Sequence, residues 1–109
     1  MPSPVPEMTV EDLKAKIDRK ETFALIDVRE PNEYEICRIP GAKLIPLGEL
    51  PKRIEELDPS AELIVHCRSG GRSAQAVKFL LDNGFQKAVN VSGGILAWAA
   101  RIDPTIPTY

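Results

Sequence analysis

Residues 62–73 read ELIVHCRSGGRS, which places an apolar run, a cysteine and a polar glycine-rich segment in immediate succession. The apolar run is short and rich in β-branched residues, so it predicts a buried strand that ends at Cys67. Beyond residue 73, apolar side chains recur at helical spacing until Asn83 and Gly84, a pair typical of a helix C-terminus. We therefore predict a strand, a tight loop and a helix, with Cys67 where the strand ends.

The rest of the chain repeats this alternation of short apolar runs and helical patterns. Further strands are predicted at residues 23–26, 43–45 and 88–91, and helices at 10–19, 47–57 and 95–100. Thr9 and Asp12 resemble a capping box for the first helix, Pro51 interrupts the second, and glycines 93 and 94 form a strand-to-helix turn. Alternating strands and helices favour an α/β layered architecture with a mostly parallel sheet and right-handed crossovers.

Length and composition narrow the class of protein. With 109 residues the chain has room for one domain, and its content of 43% hydrophobic and 28% charged residues is that of a soluble globular protein. A formal net charge of -2 argues against a nucleic-acid-binding protein. No apolar run approaches the ~20 residues of a membrane span and the start lacks a signal-peptide pattern, so we expect no membrane association and a cytoplasmic location.

The first seven residues differ in composition from the rest. Prolines at positions 2, 4 and 6 disfavour helix, so residues 1–7 are predicted to be an extended linker or tail outside the fold. Residues 8–109 are then expected to form the single domain.

Cys67 opens the loop that carries the chemistry. Glycines 70 and 71 allow the loop to curl, so that main-chain N–H groups of residues 68–73 and the start of the next helix converge on the sulfur. Arg68 and Arg72 add positive charge, and such surroundings lower the pKa of a thiol. A reactive cysteine is the favoured interpretation, and a buried structural cysteine before an ordinary turn is the alternative.

The length of this loop bears on what it can hold. Arg72 lies five positions after Cys67, whereas cysteine-dependent phosphatases use the longer pattern Cys-x5-Arg. A loop one residue shorter has less room for a tetrahedral phosphate but suits a single sulfur atom on Cys67. An anionic persulfide also requires no general acid, because main-chain donors stabilise it directly.

Other polar and sulfur-bearing residues receive structural interpretations. Two cysteines and one histidine without a CxxC pair argue against a zinc site, and we predict no metal and no cofactor. Cys37 is a small buried hydrophobe or, alternatively, a resolving thiol for Cys67. His66 points to the opposite face of its strand from Cys67. Asp27 and Arg29 end a strand near the active face, where bracing the loop is favoured over positioning substrate or tuning the thiol.

Three further motifs accompany the loop. They are IDVRE at 26–30 followed by Glu33, IPGA at 39–42 followed by Ile45-Pro46, and VSGG at 91–94 followed by Trp98. In this order and spacing, together with the Cys67 loop, they resemble the signatures of the rhodanese family of sulfurtransferases, from about residue 8 to the end of the chain. The pair Cys37-Arg38, where most rhodaneses have Gly-His, and the ending from Asp103 to Tyr109 are similar to rhodanese domains fused to E1-like adenylyltransferases.

This resemblance implies both a fold and an activity. The fold is a three-layer α/β arrangement with a mostly parallel central sheet of about five strands and helices on both faces. The activity is sulfur transfer, in which Cys67 takes sulfur from thiosulfate or from a protein persulfide such as that of a cysteine desulfurase, holds it as a persulfide and delivers it to a nucleophilic acceptor. The residues that would bind the substrate and the persulfide are Arg68, Ser69, Gly70, Gly71, Arg72 and Ser73.

The fused relatives imply a particular acceptor, namely the adenylated C-terminus of a ubiquitin-like sulfur carrier of molybdopterin or thiamine biosynthesis or of tRNA thiolation. The sequence is compatible both with a stand-alone rhodanese and with an excised C-terminal domain. Two other functions stay open on the same fold. One is a non-catalytic partner-binding module, which the intact Cys67 disfavours, and the other is a cysteine-dependent phosphatase or arsenate reductase, which the short loop disfavours.

Overall fold

The computed structural model describes residues 5–109, so residues 1–4 of the predicted linker lie outside the described part. Within it, the strands are β1 (Glu7–Met8), β2 (Ala24–Asp27), β3 (Lys43–Leu44), β4 (Leu63–His66) and β5 (Ala88–Val91). The helices are α1 (Val10–Asp18), α2 (Pro31–Ile36), α3 (Leu50–Arg53), α4 (Gly71–Asp82) and α5 (Gly94–Arg101). Among residues 5–109, no helix has both the length and the apolar character needed to cross a membrane.

The five strands form one parallel sheet in the order β1-β5-β4-β2-β3. Asp27 pairs in register with His66, and Val65 pairs with Asn90, so the carboxyl ends of the three central strands lie at one edge. In open parallel sheets this edge is where sites form. The predicted α/β class with a parallel sheet is confirmed.

Helices cover both faces of the sheet, because successive residues of each central strand point to opposite sides. On one side Ile26 and Val65 join a buried cluster with Val77 of α4. On the other side Leu25 and Ile64 join a second cluster with residues of α1 and α5, including Leu13, Ile95 and Trp98. The result is the expected arrangement of three layers, with β4 buried along its whole length.

Two local features differ from the sequence-based expectation. Strand β1 includes Glu7, a residue assigned above to the linker, because the N–H of Asn90 donates to the carbonyl of Pro6 at 2.9 Å and so joins this segment to β5. Helix α2 was not predicted. Its start follows known rules, since Pro31 lies in the first turn and the side chain of Glu33 accepts the N–H of Glu30 at 2.9 Å.

The predicted interrupted helix at residues 47–57 is confirmed as a series of short turns. Helix α3 is flanked by single turns of 3-10 helix at Leu47–Glu49 and Ile54–Glu56. Pro51 lies in the first turn of α3, where its missing N–H costs no intrahelical bond.

Candidate active site

Cys67 is the first residue after β4 and lies at the carboxyl edge of the sheet. The chain then turns through Gly70, whose φ of +117° is left-handed and favours glycine, before α4 begins at Gly71. This turn directs main-chain N–H groups back towards the sulfur of Cys67. The loop therefore has the strand, turn and helix order that the sequence predicts.

Three hydrogen-bond donors point at the sulfur, and we call them the cup. The N–H of Gly70 lies 3.1 Å from Cys67 Sγ, the N–H of Ser73 lies 3.4 Å away and the Ser73 hydroxyl lies 3.3 Å away. The Cys67 residue is only 1% exposed, so these bonds form largely away from water. Such a cup favours a negatively charged sulfur over a neutral one.

The ionisation of Cys67 reflects two opposing effects. Burial by itself disfavours the charged form and raises the pKa of the thiol. The hydroxyl of Ser73 and the main-chain N–H groups of Ser73, Gly70 and Ser69 stabilise the thiolate and outweigh burial, so the pKa of Cys67 is lowered from its usual value. Of the predicted loop residues, Ser69, Gly70 and Ser73 thus act on the sulfur itself, while Gly71 begins α4.

Asn90, which the sequence analysis did not identify, connects the cup to the sheet. The Ser73 hydroxyl lies 2.5 Å from Asn90 Oδ1, and Asn90 Nδ2 donates to the carbonyl of Gly70 at 3.3 Å and to Glu7 at 3.2 Å. Since a hydroxyl carries one proton, Ser73 donates either to Asn90 or to Cys67 Sγ. The available signal was a polar residue inside the otherwise apolar strand β5, because buried amides need partners.

Helix α5 holds the outer side of the loop. The N–H groups of Ile95 and Leu96 donate to the carbonyls of Cys67 and Arg68 at 2.9 and 3.1 Å. At Gly94, where φ is +56°, a Cβ would lie 2.5 Å from the first of these oxygens and 2.6 Å from the second. The predicted glycine turn is therefore also a point where helix and loop approach more closely than a side chain allows.

Asp27 and Arg29 form a fully buried ion pair beside the loop. The Arg29 guanidinium donates to both carboxylate oxygens of Asp27, with the shortest distance 2.7 Å, and both side chains are 0% exposed. Arg29 also donates to the carbonyl of Cys37 at 2.6 Å and to its sulfur at 3.8 Å. These contacts join the end of β2 to the residues that follow α2, and they place Cys37 in a buried position against the guanidinium.

A network of charged and aromatic side chains is joined to the loop through Arg68 and Arg72, and we call Arg29, Glu33, Arg68, Arg72 and Tyr109 the rim. Arg72 binds Glu33 through two hydrogen bonds of 2.6 and 2.9 Å, and this contact is the main reason that the pKa of Glu33 is lowered to about 2. The Tyr109 hydroxyl donates to Glu33 at 2.7 Å and accepts from Arg29 at 2.9 Å. Arg68 donates to the main-chain oxygen of Tyr109 at 3.0 Å.

His66 supports the loop from within the sheet. Its ring is 0% exposed, and Nδ1 lies 3.3 Å from the carbonyl oxygen of Cys67, to which it donates. Burial lowers the pKa of His66, which keeps the ring neutral. In the described part of the chain, no three His, Cys, Asp or Glu side chains gather as metal ligands would.

Comparison with known proteins gives a consistent result. The family model described as "Rhodanese-like domain" matches residues 9–101. The putative sulfurtransferase YtwF of Bacillus subtilis is 42% identical over 100 residues, which cover 92% of this chain and 96% of YtwF. The putative sulfur carrier protein YrkF of the same organism is 41% identical, over 93% of this chain and 55% of YrkF. The chain thus spans about half the length of this second relative.

The predicted similarity to adenylyltransferase fusions is also found. The adenylyltransferase and sulfurtransferase MOCS3 of Arabidopsis thaliana is 33% identical over 90% of this chain, which corresponds to 25% of MOCS3. Among solved structures, a rhodanese-like domain protein from Staphylococcus aureus superposes with a TM-score of 0.83 at 33% identity, covering 95% of this chain and 98% of that one.

Proposed function

This chain belongs to the rhodanese-like domain family, and from that premise we propose that it transfers sulfur as a persulfide on Cys67. The donor is thiosulfate or a protein persulfide, and the acceptor is a nucleophile. The observation that carries the proposal is the cup, in which three donors lie within 3.4 Å of Cys67 Sγ. Donors fixed around a charged sulfur stabilise it without reorganising during the reaction.

The first half of the reaction loads the sulfur. The Cys67 thiolate attacks the outer sulfur of thiosulfate, a new S–S bond forms, the S–S bond of thiosulfate breaks, and sulfite leaves with the electron pair. The lowered pKa of Cys67 increases the fraction of the thiol that is present as the nucleophilic thiolate. The terminal sulfur then carries the negative charge, which main-chain N–H groups of residues 68–73 stabilise, while Arg68 and Arg72 influence which donor approaches.

The second half of the reaction delivers the sulfur to the acceptor. An acceptor nucleophile attacks the terminal sulfur, and Cys67 leaves again as the thiolate that the cup favours. As the physiological acceptor we propose a ubiquitin-like sulfur carrier, and as the donor a persulfide of the cysteine desulfurase type. The names of YrkF, a putative sulfur carrier protein, and of MOCS3, an adenylyltransferase and sulfurtransferase, support a carrier partner. From the resemblance to adenylyltransferase fusions we further propose a place in molybdopterin biosynthesis or a related pathway. We assign Asp27 and Arg29 the role of a brace for the loop.

Intact mass spectrometry tests the proposal. Wild type and Cys67→Ala are incubated with thiosulfate, and separately with an organic persulfide, and are then treated with cyanide while thiocyanate is measured. We expect wild type to gain one sulfur atom and to lose it to cyanide as thiocyanate, and Cys67→Ala to gain none. Cys37→Ala is the matched cysteine control and should still gain the sulfur.

The alternative functions predict different results. If neither donor loads wild type, persulfide transfer is wrong and a partner-binding module is the better interpretation. Hydrolysis of p-nitrophenyl phosphate that depends on Cys67 would instead support the phosphatase alternative. If loading persists in Cys67→Ala but disappears in Cys37→Ala, the nucleophile is Cys37 and the assignment to Cys67 is wrong.

A further inference from the structure

The last residues of the chain return to the active site. After α5, the N–H groups of Ile102 and Asp103 donate to the carbonyl of Trp98 at 2.8 and 2.9 Å, and Ile106 packs against the apolar cluster that contains Trp98. This path brings Tyr109 to the rim, where its hydroxyl and ring contact residues about 40 to 80 positions earlier in the chain. Nothing in the sequence motifs indicated this contact.

Tyr109 engages the one loop arginine that Glu33 leaves free. Both terminal nitrogens of Arg72 bind the carboxylate of Glu33, so the charge of Arg72 is already balanced. Arg68 donates two hydrogen bonds to the main-chain oxygen of Tyr109, and its guanidinium lies over the tyrosine ring, 5.1 Å from the centroid. An arginine held in this way on an aromatic face loses part of its capacity to bind a free anion.

Tyr109 is in turn fixed by two groups of opposite charge. Its hydroxyl accepts from Arg29 at 2.9 Å and donates to Glu33 at 2.7 Å, so the ring is held from both sides. The negative charge of Glu33 remains at the rim, because its pKa is lowered to about 2 by the bond to Arg72. A small dianion that approaches Cys67 therefore meets two loop arginines that are already engaged, Arg72 by the ionised carboxylate of Glu33 and Arg68 by Tyr109.

We propose that Tyr109 is a specificity-determining residue that holds Arg68 and so makes the site favour sulfur donors of low charge over small dianions such as thiosulfate. The inference rests on the proposed function, since it concerns the choice of donor for Cys67. Loading from an organic persulfide follows the same steps as loading from thiosulfate. The Cys67 thiolate attacks the outer sulfur of R–S–SH, a new S–S bond forms on Cys67, the S–S bond of the donor breaks, and R–S⁻ leaves.

Donor kinetics test the proposal. The rate of persulfide formation on Cys67 is measured against the concentration of thiosulfate and of hydroxyethyl persulfide, which carries at most one charge, for wild type, Tyr109→Phe and Tyr109→Ala. Tyr109→Ala removes the ring beneath Arg68 and the hydroxyl bonds that fix residue 109, so the main-chain oxygen of that residue no longer holds Arg68 in place. The KM for thiosulfate should then fall by roughly threefold to tenfold, with kcat little changed. The KM for hydroxyethyl persulfide should change by less than about twofold. Tyr109→Phe keeps the ring, and its KM for thiosulfate should lie between those of wild type and Tyr109→Ala.

Two controls separate specificity from structure. Tyr34→Phe removes the hydroxyl of the other tyrosine, which donates to the carbonyl of Ala42 at 3.3 Å, and should leave the ratio of the two KM values unchanged. In an Arg68→Ala background, Tyr109→Ala should no longer affect the KM for thiosulfate, because the arginine that it would release is gone.

The outcomes distinguish this inference from the proposed function. If Tyr109→Ala lowers kcat for both donors, Tyr109 is a structural support and the specificity role is wrong. If both KM values fall equally, Tyr109 limits the access of every donor to Cys67 and does not select donors by their charge, so the inference is again wrong. If no donor loads Cys67 even in wild type, the proposed function itself fails, which the wild-type measurement reveals before any variant is compared.

Discussion

The cup contacts the sulfur of Cys67 and the rim is joined to the same loop, but the chain assembles them in different ways. The cup consists of main-chain N–H groups and one hydroxyl within six positions of Cys67. The rim joins side chains that are 39, 41, 76 and 80 positions apart. A local loop can form its donors as soon as strand and helix are in place, whereas the rim exists only when the whole domain is folded. In the function proposed above, the cup supplies the chemistry, and the rim supplies stability and selectivity.

If this division holds, the largest loss of stability should come from the rim. Arg29→Ala leaves the Asp27 carboxylate buried without a cation, so we expect the free energy of unfolding in urea to fall by about 3–5 kcal/mol. Arg101→Ala is the matched control, because it breaks an exposed pair with Glu11, and it should cost at most about 1 kcal/mol. Equal losses in the two variants would contradict the role of Arg29 as a brace.

The next effect should come from crowding the cup from outside. Gly94→Ala places a methyl group 2.5 Å from the carbonyl oxygen of Cys67 in a left-handed conformation, so the loop must move. We expect a loss of about 2–4 kcal/mol in urea unfolding and little persulfide formation by mass spectrometry. In the control Gly48→Ala, the new Cβ meets no atom within 4 Å, so both stability and persulfide formation should stay as in wild type. A Gly94→Ala variant that loads sulfur at the wild-type rate would argue that the cup tolerates displacement.

A smaller effect, confined to chemistry, is expected from Ser73→Ala. Loss of the hydroxyl removes one donor to the thiolate, so the pKa of Cys67 rises and the rate of alkylation by iodoacetamide reaches its midpoint at higher pH. At pH 7 the alkylation rate should fall by roughly tenfold. Ser69→Ala keeps its main-chain N–H and should leave the pH profile in place. Identical profiles for all three proteins would indicate that the main chain alone sets the pKa.

The smallest effect is expected from Glu33→Gln, which removes the charge but keeps the shape of a rim residue. Because folding lowers the pKa of Glu33 from 4.5 to about 2, its ionised form stabilises the fold above pH 4.5 and this contribution is lost as the pH falls towards 2. Thermal unfolding should show wild type more stable at pH 7, by about 1 kcal/mol. The difference should shrink in acid, and a difference independent of pH would contradict this assignment.

Much of the fold follows from local sequence patterns. The apolar runs around residues 25 and 64 mark central strands, and the capping box of Thr9 and Asp12 forms as predicted, with both hydrogen bonds present. Strand β1 and helix α2 were missed for a physical reason. Each is short, and β1 is defined by pairing with β5 rather than by its own pattern.

The candidate site likewise has a part that the sequence predicts and a part that it does not. Cys67, Gly70 and Ser73 are close in sequence, and the turn between them uses the left-handed conformation that Gly70 allows, so the cup could be anticipated. The positions of Asn90 and Tyr109 depend on which strands are neighbours and on where α5 directs the chain, and single-sequence patterns do not contain that information. Their roles become visible only as hydrogen bonds across the folded domain.

Residues far apart in the chain contribute to the surroundings of Cys67: Glu7 binds Asn90, which holds Ser73 and Gly70, and Tyr109 lies on the rim. An acceptor fused by a short flexible linker after Tyr109 would begin beside the rim. Such tethering corresponds to an effective concentration on the order of millimolar. Delivery to a tethered acceptor is then a first-order step whose rate does not depend on protein concentration, even when the same acceptor binds weakly as a free molecule.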